Sequence, residues 1–227
     1  MTTAQLTDHP GHHHTGPMRR VRSGAGLAFV ALTLAGNSLT ESAVDPEAEL
    51  TGEVALSQLA AKAGSTLAQV GLVLELVGFV ALAVFVAQIV ADGVRRSRPA
   101  VSAVLAAIAV TVMLAVKLGS GAPYVAGLAH HELISEDTAL TLTVINGAGF
   151  VLCWLPFAVF VLAAAWSLRA AGDLGRLGLG TAVAIGGLGV LAGLVGALDT
   201  ADANPVPFLL GCLWTAVVSV RLSVGRR

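Results

Sequence analysis

The chain has 227 residues, 56% of them hydrophobic and 12% charged, with a formal net charge of −1 and a mean hydropathy of +0.82. Soluble domains carry about 25% charged residues, so this composition excludes an ordinary water-soluble fold and points to an all-α bundle of membrane helices. Arg outnumbers Lys by 11 to 2 beside abundant Ala, Gly, Val and Leu, the composition expected of a GC-rich bacterial genome.

Residues 1–23 read as a disordered basic cytoplasmic tail, with His9, His12, His13 and His14 among turn-forming residues. Met18 opens MRRVRSGAGLAFV and offers a second start codon; the stretch also has the basic and apolar regions of a signal peptide. The best −3/−1 pair, Thr33 and Ala35, lies inside the apolar run, so a retained first span over 24–39 is expected, with Asn37 near its far end. An acidic outer loop follows over 40–65, with Glu41, Asp45, Glu47, Glu49 and Glu53 against a single base, Lys62. Its second half, with Val54, Leu56, Leu59 and Ala63 apolar, reads as a helix on the membrane surface.

The second span, 66–91, is apolar throughout except for polar Gln69 and Gln88 and one carboxylate, Glu75. About 20 apolar residues cross a bilayer core, and a carboxylate inside one is a functional-site hypothesis by default. Arg95, Arg96 and Arg98 close it, and Ser97 and Pro99 start the third span, 99–118, which ends at Lys117 and Leu118 ahead of Gly119, Gly121 and Pro123. The loop 119–138 holds His130, His131, Glu132 and Glu136, low-ranking candidates for an outer metal site. Ser135 is placed to cap the fourth span, 139–168, in which Pro156 predicts a kink and Trp166 an interface anchor.

The fifth span, 177–198, carries a small-residue stripe of Ala182, Gly186, Gly189, Gly193 and Gly196 at helical spacing, suited to close packing within the bundle or to a homodimer. The sixth, 206–222, opens at Pro205 and Pro207 and carries Trp214; a short cytoplasmic tail, 223–227, ends the chain. Cys153 and Cys212 match no metal or redox spacing. Counted along the helices, they lie roughly 21 and 10 Å below the outer surface, too far apart for a disulfide.

Six spans put all 11 Arg on one side and both Lys on the other, so both termini are expected in the cytoplasm and the protein in the cell membrane. Ten of the 14 acids then face outward. A rise of about 1.5 Å per residue puts Glu75, Lys117 and Asn37 roughly 24, 27 and 22 Å above the cytoplasmic ends, with Asn146 at a similar level. These four groups form one intramembrane polar layer, and consecutive antiparallel helices suit an ion pair between Glu75 and Lys117. Such a pair could lock the bundle, or border a cavity and bind an ion or ligand.

No His lies in a span, which excludes a bis-His transmembrane haem; no Lys sits in mid-membrane for a retinal Schiff base; no nucleotide-binding or hydrolase motif is present. No basic aromatic patch suggests nucleic acid, no cofactor is expected, and the lipid bilayer is the one clear partner. The basic start, short first span, long acidic outer loop, Gly-rich penultimate span, and Asn204-Pro205 ahead of a Trp-bearing last span resemble an uncharacterised family of bacterial multi-span membrane proteins, a domain of unknown function. The resemblance implies a polytopic helix bundle and no particular activity. The expected function is a small structural, sensory or partner-binding bundle. The alternative is a transporter or channel for a cation or small solute using the Glu75 layer, and a membrane enzyme ranks third.

Overall fold

A computed structural model describes residues 16–45, 48–95, 101–198 and 204–224, with side chains from residue 24 on and excepting 93–95. The described residues form α1 (Gly16–Glu41), α2 (Gly52–Gly64), α3 (Thr66–Arg95), α4 (Val101–Ala129), α5 (Glu136–Leu152), α6 (Trp154–Ala170), α7 (Arg176–Leu198) and α8 (Val206–Val224), with a single 3₁₀ turn at His131–Leu133. Five stretches are long and apolar enough to cross a membrane: Thr66–Asp92, Val101–Ala129, Glu136–Ala170, Arg176–Leu198 and Val206–Val224. α1 is not one of them among the described residues. Helix also begins at Gly16, so eight residues expected in the tail extend α1. The Ser97 cap, Pro99, Asp199, Asp202 and the terminal arginines lie outside the described residues.

The third span does not stop at Leu118. α4 runs on through Gly119, Gly121 and Pro123 to Ala129. Pro and Gly are tolerated in membrane helices where neighbouring elements and polar groups satisfy the freed backbone. Here Tyr124, Gly127 and Leu128 are buried, and a Cβ on Gly127 would stand 2.6 Å from Leu142 Cδ1. The fourth span breaks at Cys153, between α5 and α6. That is one turn before Pro156, whose ring would collide with the carbonyl of the residue four back, Leu152.

α2 packs one face, with Ala55, Leu59 and Lys62, against the rest of the bundle. Thr51 caps it by accepting from the Val54 amide at 3.3 Å. Ser65 then separates it from α3 and accepts from the Ala68 amide at 3.2 Å. Its Ala55 and Leu59 pack with Tyr124, Leu128 and Ala139 as a small outer core. The Ser135 cap read from the sequence is present, its Oγ accepting from the Thr138 amide at 3.3 Å; Asn204 Oδ1, which the sequence reading did not assign as a cap, accepts from the Val206 amide at 2.9 Å.

α1 lies antiparallel along α3. A Cβ on Gly36 would fall 2.6 Å from Gly71 O, and one on Gly78 would fall 2.5 Å from Thr33 Oγ1. The main core extends from the cavity wall at Phe79 and Phe150 through the rest of the bundle. It joins Phe29, Phe79, Leu82, Phe85 and Val86 to Ala106, Val110 and Met113, and then to Phe157, Phe160 and Val161 of α6. Phe208 stacks on Trp154 with centroids 6.3 Å apart, so Cys153 lies near the outer start of α8. Its depth was therefore overestimated: α4 and α5 project beyond the start of α8. Both cysteines are nonetheless free and buried.

The glycine stripe of α7 is buried at Gly186, Gly189, Gly193 and Gly196. Cβ atoms at the first three would stand 2.5, 2.8 and 2.8 Å from Leu162, Ala158 and Leu155 of α6. The stripe thus seats α6 of the same chain, and a homodimer through α7 would use its opposite face.

Candidate functional site

Glu75 is set nine residues into α3, on the face that α1 covers. Gly36 makes this possible: it brings the α1 backbone so close that a Cβ there would be 2.7 Å from the Glu75 amide nitrogen. Lys117 sits 12 residues before the end of α4. Only five residues link α3 to α4, so the two helices return antiparallel and the two side chains meet. Lys117 Nζ lies 3.5 Å from Glu75 Oε1, and each side chain is only 12% exposed. The ammonium also stands 5.1 Å from the centroid of the Phe150 ring, a cation–π contact.

The pair borders an open cavity of about 790 Å³ between α1 and α3 on one side and α4 and α5 on the other. Asn37, Glu75, Lys117 and Asn146, the four members of the polar layer, all line it. Gln69, near the start of α3, lines it too. Thr143 does not; its hydroxyl donates to Ala139 O at 3.0 Å. Apolar walls come from Leu72, Leu76, Phe79 and Phe150, among others.

Within the described residues, the polar groups of this cavity are under-satisfied. The Asn37 and Asn146 amides have no hydrogen-bond partner, and Glu75 Oε2 receives none. Gln69, by contrast, donates from Nε2 to Ala63 O at 2.7 Å, and Thr40 donates to Gly36 O at 2.9 Å. Asn37 is exposed and Asn146 half-buried, so both amides are open to a ligand in the cavity; the sealed polar atoms without a partner among the described residues, Thr33 Oγ1, Gln88 Oε1 and Trp154 Nε1, lie outside it.

A second charge pair joins α2 to α1. Lys62 Nζ donates to both Glu41 oxygens at 2.9 and 3.1 Å and lies 5.6 Å from the centroid of the Tyr124 ring. Glu41 and Tyr124 both line the cavity. Sequence reading placed Lys62 on a surface helix, but it is 5% exposed. Burial disfavours its charge, yet Tyr124 and Glu41 outweigh that and hold its pKa above the ordinary 10.5. A raised folded-state pKa means that the stabilisation is complete below the unfolded value and is lost as pH rises through the folded one. Thermal unfolding in detergent should therefore show this contribution unchanged from neutral pH to about 10 and declining only above 10.5. In a Lys62→Met variant that alkaline decline should be smaller.

The outer metal candidates do not assemble. His130, Glu132 and Glu136 are exposed, and His131 Nδ1 is engaged with Leu128 O at 3.1 Å. No three His, Cys, Asp or Glu side chains gather as a metal site among the described residues. Tyr124 and Phe150 were missed as site residues. Tyr124 is the chain's only tyrosine, but its relevance depends on α4 continuing past Pro123; Phe150 lies one turn from Asn146, and its relevance depends on α5 bringing it to Lys117.

Apolar helices of membrane-spanning length around a cavity with an internal ion pair define a membrane-embedded helical protein. No protein-family model, curated protein or solved structure matches the chain.

Proposed function

We propose that the protein is a six-span bundle of the cell membrane, with both termini cytoplasmic, that binds a small ligand in its outer-half cavity and serves as a binding or sensing protein. One observation carries this reading: Glu75, Lys117, Asn37 and Asn146, from four separate helices, converge on a single cavity of about 790 Å³. Volumes of this order, with mostly apolar walls and a few convergent polar groups, are typical of small-molecule sites. For the sixth span, the support is the antiparallel course of α1 beside α3, with Thr40 Oγ1 reaching Ala68 O at 3.5 Å and Thr33 against Gly78. For orientation, the support is the distribution of arginine.

A carrier for a cation or small solute is the second reading, favoured by a cavity that ends at a mid-depth carboxylate. Against it, Phe79, Leu82, Phe85 and Val86 pack with Ala106, Val110 and Met113 on the other side of that carboxylate. Transport would require this packed half to open. A homodimer would use Leu188, Leu191, Leu194 and Val195, which are exposed on α7.

The test is a Gly147→Cys variant. Gly147 lines the cavity, and a Cβ there meets nothing within 4 Å. The native cysteines are buried, so background labelling is low. In intact cells a membrane-impermeant maleimide should label this cysteine from outside. Labelling only from the cytoplasmic side would reverse the orientation, and labelling from neither side would remove the water-reachable cavity.

A further inference from the structure

The rim of the cavity identifies where its ligand comes from. Val73, Leu76, Leu118 and Val125 line the cavity and are exposed by 59, 50, 43 and 47%. Val73 continues a stripe of exposed apolar residues on α3, with Val70, Val77, Val80 and Val84. Leu118 and Val125 continue another on α4, with Val104, Ile108 and Val112. On helices that cross a membrane such stripes face lipid. The cavity therefore opens sideways, between α3 and α4, onto the acyl chains of the outer leaflet.

Its inner wall is not suited to acyl chains alone. Glu75 Oε2 and the Asn37 and Asn146 amides lack partners among the described residues, and Lys117 has only Glu75 Oε1 and the Phe150 ring. An uncompensated cation or anion would also meet a wall already balanced in charge, with Glu75 against Lys117 and Glu41 against Lys62. A dipolar head satisfies both ends: its anionic group takes the free Lys117 protons, and its cationic group takes Glu75.

We infer that the cavity takes a zwitterionic amphiphile from the outer leaflet, with the head at Glu75 and Lys117 and the tail leaving through the gap between α3 and α4. This rests on the cavity being a binding site, as proposed above.

The test compares three probes by thermal unfolding of the full-length protein in a non-ionic maltoside. They are lysophosphatidylcholine, glycerophosphocholine (the same head without a tail) and monoacylglycerol (a tail without charge). At a hundredfold excess over its dissociation constant, lysophosphatidylcholine should raise the melting temperature by on the order of 5 °C or more, and the other two should not. The rise should vanish in a Glu75→Gln/Lys117→Met double variant. It should also vanish in Ala122→Trp, which fills the gap from an exposed position and leaves the charges in place. An equal effect of glycerophosphocholine would mean a water-borne ligand, overturning the inference but not the cavity reading. A lysophosphatidylcholine effect unchanged in both variants would mark nonspecific lipid and overturn the inference. No effect from any probe would overturn it too, and failure of Gly147→Cys labelling would separately remove the cavity reading.

Discussion

Replacing Gly71 with Val should be among the most destabilising single changes in the bundle, at roughly 3 kcal/mol. A Cβ at this position would lie 2.6 Å from both Gly36 O and Thr40 Oγ1 and 2.8 Å from the Thr40 backbone nitrogen. Two of these three atoms are backbone and neither helix can yield locally, so α1 must move away from α3. Within a bilayer, helices associate through close packing rather than by exclusion of water, so a lost seam is not recovered by burial elsewhere. Function should fall with stability, because α1 supplies Asn37, Thr40 and Glu41 to the cavity. Gly187→Ala on α7 is the control: its Cβ meets nothing within 4 Å, and its effect should stay within about 0.5 kcal/mol. Equal melting temperatures for the two variants in detergent would show that the α1–α3 seam contributes little.

The second large effect is expected at the ion pair. Glu75→Gln leaves Lys117 charged and largely buried, and Lys117→Met leaves Glu75 in the same state. Removing one partner of a buried pair costs about 3–5 kcal/mol. Here the open cavity admits solvent to both groups, so about 2–3 kcal/mol is expected for each single variant. The double variant should recover much of the loss, since it removes both desolvation costs and leaves groups of similar size. A double-mutant cycle on unfolding in detergent should thus give a coupling of roughly 1–3 kcal/mol. Additive effects would mean that the two charges act independently across the cavity. If Glu75→Gln alone raised stability, the carboxylate would be held at a cost to folding, the signature of a residue kept for function.

Much was readable in one dimension because the bilayer imposes it. The existence of long apolar helices follows from the need to satisfy backbone groups without water. It sufficed to locate the stretches from 66 onward that became α3 to α8 and to rank Glu75 as unusual. The alternation of Arg-rich and acidic links supports an orientation by the same one-dimensional logic. Rise per residue brought Glu75, Lys117, Asn37 and Asn146 to one level, and all four line one cavity. The small-residue stripe on α7 was likewise legible, because helical spacing alone puts those glycines on one face.

What the sequence left open depended on neighbours. Gly119, Gly121 and Pro123 are breakers in a local reading, yet α4 passes through them because other helices hold its outer end. Lys62 reads as the lone base of a surface helix, and only the arrival of Glu41 and Tyr124 makes its burial tolerable. The metal candidates share a loop but not a focus. A shared depth also does not say whether polar groups face one another, lipid or a void. That depends on the rotation of each helix about its axis, which is set by contacts such as Gly36 on Gly71 and Gly149 on Ser120. Depth is a sum of local rises along one chain and belongs to the sequence. Rotation is a property of pairs of packed surfaces, so the cavity was decided only by the tertiary structure.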